Sequence, residues 1–221
     1  QRKGGDESSA WRMWERWMGE IVADYWSVGR VGVASTIGLM GVVSLPRAYV
    51  FHVRMDDPHP PPWIRVKLSS ALGDALYPHP QWARLGQVWE SFYPTEGLDD
   101  ANRRLFALLE RTIPALVTLL TEHRPPRLRG RSVREVLNTA RRQPLRLLAL
   151  YRCWRGSPQR MRAAPPSLVF AVIGQAKLAG LLSPEQESQL VAELLTYWAL
   201  RSSWETSERC ATHSRVVQFK H

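Results

Sequence analysis

Residues 99–123 read DDANRRLFALLERTIPALVTLLTEH. Leu105, Leu108 and Leu109 recur one turn apart, and Leu116, Leu119 and Leu120 repeat the pattern two turns later. That spacing is the apolar stripe of a helix rather than the alternation of a half-buried strand. Asp99 or Asp100 can cap it by accepting from the first free amides. The stretch therefore predicts a helix to about His123, kinked at Pro114, where one backbone donor is missing.

The same reading extends downstream. Ser132-Val133-Arg134-Glu135 is a capping box, in which serine oxygen and glutamate satisfy each other's orphan amides, so a helix is expected from there through Val136, Leu137 and Ala140, bending at Pro144. After the turn at Gly156-Ser157-Pro158, the run Ser167 to Ala179 is apolar around most of its circumference, which predicts a buried helix ended by Gly180. Ser183-Pro184-Glu185-Gln186 joins an N-cap to proline at the first helical position and opens a helix through Leu190, Leu194, Leu195, Trp198 and Leu200.

Upstream, Trp82, Leu85, Val88, Trp89 and Phe92 form a stripe that Pro94 stops, and Trp63 to Tyr77 forms another that Pro78 stops. Asp56-Asp57-Pro58-His59-Pro60-Pro61-Pro62 loses so many amide donors that it is expected as a loop. Gly29 to Val53 mixes glycines with β-branched residues and fits a buried helix or a short strand pair. Trp11, Trp14, Met18, Ile21, Val22, Tyr25 and Trp26 predict a first helix over 10–26. The expected fold is all-α: an irregular bundle of about seven to eight helices, several proline-kinked, in one domain over 10–208. Residues 1–9 and 209–221 are expected as flexible tails, with 56–62 as the candidate lobe boundary.

Composition narrows the function. With 221 residues, 44% of them apolar, the chain can bury a core. Its longest uncharged run, Val31 to Pro46, has 16 residues, against the roughly 20 needed to span a bilayer. Cys153 and Cys210 are too few for a disulfide framework and lack zinc-site spacing, which favours a reducing cytoplasm. Gln1 stands where a start methionine would, so a processed chain or a segment of a longer one is expected. Twenty-six arginines against four lysines fit a GC-rich, bacterial coding bias.

The charge is concentrated. Between Arg124 and Arg162 stand twelve arginines and one acid, Glu135, giving +11 within 39 residues, while the other 182 residues sum to −1. Such a segment attracts a polyanion or an acidic protein face. The candidate binding residues are Arg127, Arg129, Arg131, Arg134, Arg141, Arg142, Arg146, Arg152 and Arg155, because guanidinium grips carboxylate or phosphate through two parallel bonds. The expected role is a non-enzymatic accessory protein that docks on an acidic partner, and the alternative on the same residues is nucleic-acid binding. A third reading neutralises the arginines within the fold, through Glu90, Glu96, Asp99, Asp100 and Glu110. No zinc-finger spacing, aromatic strand motif or basic zipper accompanies the segment.

Ten tryptophans are the second signal. Trp11, Trp14 and Trp17 lie on adjacent turns and fit either a core stripe or an interface, since indole joins a large apolar body to one donor. Membrane-surface docking is disfavoured by Glu15, Glu20 and Asp24. His52, Asp56, Asp57 and His59 are weak metal-ligand candidates, with donors suited to zinc or iron but a spacing that fits no motif, and an enzyme site there is a further alternative. No catalytic residue and no cofactor is expected.

Overall fold

A computed structural model describes residues 3–218 apart from Met55 and Asn138, with side chains described for 7–210 apart from the same two. Every regular element among them is helical: α1 (Lys3–Arg16), α2 (Met18–Val31), α3 (Val33–Val42), α4 (Arg47–Val50), α5 (Pro62–Leu76), α6 (Gln81–Phe92), α7 (Asp100–Glu122), α8 (Val133–Val136), α9 (Pro144–Trp154), α10 (Pro158–Ala163), α11 (Pro166–Leu178) and α12 (Pro184–Gln218). Two 3₁₀ turns, Pro126–Leu128 and Thr139–Arg142, join the series.

Twelve α-helices exceed the seven to eight expected, and the breaks have local causes. The first predicted helix is divided at Trp17, and α1 begins seven residues earlier than the expected start at Ala10. Gly32 stands at φ +60°, a conformation costly for other residues, and separates α2 from α3. The ambiguous stretch after Gly29 is thus helical. Pro144 opens α9 rather than bending a longer helix, because its fixed φ and missing donor suit a first helical position. The serine capping box is present, yet α8 lasts only four residues. Helix α7, in contrast, continues through Pro114.

Two apolar clusters organise the chain. The larger draws Trp14, Trp17, Ile21 and Tyr25 from the first two helices, Ile64 and Leu72 from α5, Trp82 and Trp89 from α6, and Phe106, Leu109 and Leu116 from α7. The smaller joins Leu147, Tyr151 and Trp154 of α9 to Met161, Val169, Val172, Ile173 and Leu194. Helix α11 packs on α9 on one side and on α2 and α3 on the other, so it holds the clusters together. That crossing is tight: a Cβ at Gly174 would lie 2.4 Å from the Ala34 Cβ.

The proline loop does not separate the clusters. Phe51 before it and Trp63 after it have ring centroids 5.9 Å apart, and both meet Phe106, at 5.3 and 5.5 Å. Such pairs add about 0.5–1.5 kcal/mol each beyond their buried area, so the loop is fastened at both ends. Helix α12 differs from the rest. It packs on α10 and α11 through its first turns, and Leu200 and Trp204, each 68% exposed, lie beyond that contact. It also runs well past Glu208, where a tail was expected. No helix among the described residues is long and apolar enough to cross a membrane.

Candidate partner-binding surface

Glu135 is the one acid of the arginine segment, and its bonds are fully committed. Its carboxylate accepts from the Ser132 amide at 2.6 Å and from both terminal nitrogens of Arg124 at 3.1 Å, while its own amide donates to Ser132 Oγ at 3.2 Å. Those donors hold its pKa below the ordinary value of 4.5. Arg124 also donates to the Gly130 carbonyl at 2.5 Å, which closes the loop in which Arg129, at φ +53°, and Gly130, at φ +78°, reverse the chain.

Arg127, Arg129, Arg131 and Arg134 stand exposed on this loop and on α8. Arg141 is exposed on the second 3₁₀ turn. On α9, Pro144, Leu147, Tyr151 and Trp154 face inward, and the opposite face carries Leu145, Arg146, Ala149 and Arg152, with Arg155 just past its end. Among the described residues, Arg124–Glu135 is the single ion pair made by the twelve arginines. Arg160 instead donates to the Cys153 sulfur at 2.8 Å, and Arg162 lies over the Tyr197 ring at 5.1 Å.

Four of the five acids expected to neutralise this segment, Glu90, Asp99, Asp100 and Glu110, are engaged elsewhere, and among the described residues Glu96 makes no ion pair with it. Lys67 of α5 bridges Glu90 of α6 and Glu110 of α7. Asp99 caps α7 by accepting from Ala101 and Asn102, which lowers its pKa, and Asp100 pairs with Arg103 at 3.3 Å. Glu20 and Asp24 both hold Arg65, at 2.8 and 2.7 Å. Besides Glu135, Glu122 shares a concavity with Arg124 and Arg134, and against twelve arginines the segment keeps a large net positive charge.

One arginine candidate stands elsewhere than expected, and two of the tryptophans fall on the core side of the two readings left open for them. Arg142 is buried, 7% exposed, with its Nε donating to the Arg30 carbonyl at 2.9 Å, so it is withdrawn from the outer face. Trp14 and Trp17 are core rather than interface residues, at 0% and 1% exposure, since the stripe they form faces α7. Trp11 is half-buried against the same cluster. Trp26 and Trp204 are the indoles with large exposed surface, at 48% and 68%, and sequence spacing did not distinguish them.

The loop histidines and aspartates do not assemble into a ligand set. Asp56 is paired with Arg54 at 2.9 Å, and Asp57 accepts from the His59 amide at 2.9 Å and meets its Nδ1 at 2.8 Å. His59 Nε2 turns toward Glu20 at 3.4 Å, and His52 points into solvent. Among the described residues no group of three or more His, Cys, Asp or Glu side chains is placed to hold a metal ion. One concavity, about 780 Å³, is lined by Lys67, Asp74, His79, Trp82 and Glu90, whose Lys67 and Glu90 are already paired. A second, about 670 Å³, lies on the arginine segment between Arg124, Ser132, Arg134 and Thr139. Comparison with protein-family models, curated proteins and solved structures finds no match for the chain.

Proposed function

We propose that the chain is a helical accessory protein that docks on an acidic protein face through its arginine segment. The observation that carries this reading is the scarcity of internal counter-charge: one ion pair is formed by twelve arginines, while Glu90 and Glu110 serve Lys67, and Glu20 and Asp24 serve Arg65. Exposed guanidinium groups in that state gain most from carboxylates supplied by a partner. The outward face of α9 favours protein over nucleic acid. There Leu145, 73% exposed, stands beside Arg146, with Ala149 and Arg152 following at helical spacing. Apolar side chains set among arginines suit the mixed core and rim of a protein interface, whereas a phosphate backbone offers leucine nothing.

The test is affinity capture from native extract, with and without nuclease, comparing the natural chain with Arg141→Glu/Arg146→Glu/Arg152→Glu. These three side chains are exposed, so helical circular dichroism should be unchanged. The expected result is one stoichiometric protein that survives nuclease, weakens with salt and is lost in the triple variant. Retention by the variant refutes the reading. Capture that nuclease abolishes transfers the surface to nucleic acid, for which affinity must fall steeply with salt through counterion release.

A further inference from the structure

Arg142 and Arg30 meet inside the fold with no acid between them. Arg142 is more than nine-tenths buried, and its Nη2 lies 3.5 Å from Ser167 Oγ. Arg30, half-buried, donates from Nη2 to the same Ser167 hydroxyl at 3.3 Å, with its guanidinium over the Trp26 ring at 5.8 Å. Neither forms an ion pair, and the charged neighbour Arg141 is a third cation. Ser167 is the second residue of the 13-residue α11, whose first residue Pro166 has no amide N–H and whose Leu168 and Val169 amides donate to the Pro165 carbonyl, so the helix dipole rather than a set of free amides presents positive charge there.

The Arg30 carbonyl, at the C-terminal end of α2, accepts from Arg142 Nε and offsets part of this charge. That end carries about half a negative charge, against two guanidinium charges and the positive end of α11. A buried cation without an opposing charge is costly, and a bound anion would relieve that cost. Forked guanidinium donors from two arginines beside one hydroxyl form a donor set that suits a tetrahedral oxyanion.

We propose that Arg30, Arg142 and Ser167 form a binding site for a phosphate group, either inorganic phosphate or the head of a small phosphomonoester. The site shares none of Arg141, Arg146 and Arg152, the three arginines changed in the docking test. Its test is independent of any partner. Inorganic phosphate, and separately glycerol phosphate, is titrated calorimetrically into the unmodified chain at constant ionic strength, with chloride as the balancing anion. Saturable one-to-one binding is expected, weakened roughly tenfold or more in Arg30→Gln and in Arg142→Gln, as loss of a charged hydrogen bond implies. Arg146→Gln, on the outer face of α9, should bind as the natural chain does. Tighter binding of the ester than of the free ion assigns the group to a small molecule. Arg30→Gln leaves the buried Arg142 in place and serves where Arg142→Gln fails to fold. Absence of saturable binding to the unmodified chain, or equal binding by Arg30→Gln, overturns the proposal.

Discussion

Replacing Trp14 by alanine removes a side chain with no exposed surface, packed edge-on against Trp17 at a centroid distance of 5.6 Å and an interplanar angle of 77°. Its indole also donates to Thr112 Oγ1 at 2.8 Å, which ties α1 to α7. Truncating a buried aromatic of this kind leaves a cavity and should cost about 3–5 kcal/mol. Trp14→Phe keeps most of the apolar body but deletes the bond to Thr112, whose hydroxyl still donates to the Leu109 carbonyl at 2.8 Å. Its expected cost is about 1–3 kcal/mol. Trp11→Ala, at a half-buried position, should cost less than about 2 kcal/mol. Denaturant unfolding measures all three, with a shift in midpoint at constant slope showing that stability alone has changed. In thermal unfolding, about 2–4 °C per kcal/mol places Trp14→Ala roughly 10 °C below the natural chain. A loss under about 1 kcal/mol for Trp14→Ala, or a larger loss for Trp11→Ala, would refute the assignment of Trp14 to the core.

Burial raises the pKa values of Tyr25 and Tyr77 to about 12, from 10.0. The unfolded chain ionises first, so their contribution is complete below pH 10 and lost as pH rises toward 12, at about 2–3 kcal/mol each. Phenolate absorbance for these two tyrosines should therefore appear together with unfolding, and Tyr25→Phe, whose hydroxyl has no hydrogen-bond partner, should move the alkaline midpoint upward. At the acid end the sign reverses: the depressed pKa values of Asp99 and Glu135 give stability that is present above 3.8 and 4.5 and lost as pH falls through the lower folded values. Asp99→Ala should flatten that acid limb, which a pH series of unfolding midpoints reads directly. Two glycines should respond oppositely to alanine. Gly86→Ala in α6 meets nothing within 4 Å and should stabilise by about 0.5–1 kcal/mol, whereas Gly174→Ala drives a Cβ into Ala34 and should cost about 1–3 kcal/mol, both measured by denaturant midpoint.

The helices that carry their own punctuation could be read from residue order. The starts read at Trp63, Asp99 or Asp100, Ser167 and Ser183 fall within a residue of those of α5, α7, α11 and α12. Short elements were missed: Ser157-Pro158, read as part of a turn, opens the six-residue α10, and α4 lasts a single turn. The inward faces were read less well than the helices. Leu119, assigned to the buried stripe, is 52% exposed, while Phe106, Ile113 and Val117 fill the core instead, because α5 and α1 approach α7 from a side that periodicity alone does not reveal. At the arginine surface, charge density was legible from residue order alone. Which acids were already occupied was not, because Lys67 reaches Glu90 and Glu110 from 23 and 43 positions away. The pairing of Arg30 with Arg142 was hidden for the same reason, across 112 residues.

Helix α12 is 35 residues long, about 50 Å at 1.5 Å per residue, yet its tertiary packing ends near Trp198. Past that point, order depends on within-helix pairs such as Arg201–Glu205 at 2.7 Å and Trp204 with Glu208 at 2.8 Å, each worth a few tenths of a kcal/mol. Such pairs do not offset the nucleation and end costs of an isolated helix. Amide protons along α12 should therefore exchange with solvent on a graded scale, slowest around Leu194 and progressively faster toward Glu208. One covalently continuous helix would span a wide range of opening free energies, its inner turns reporting the global unfolding of the domain and its outer turns local opening.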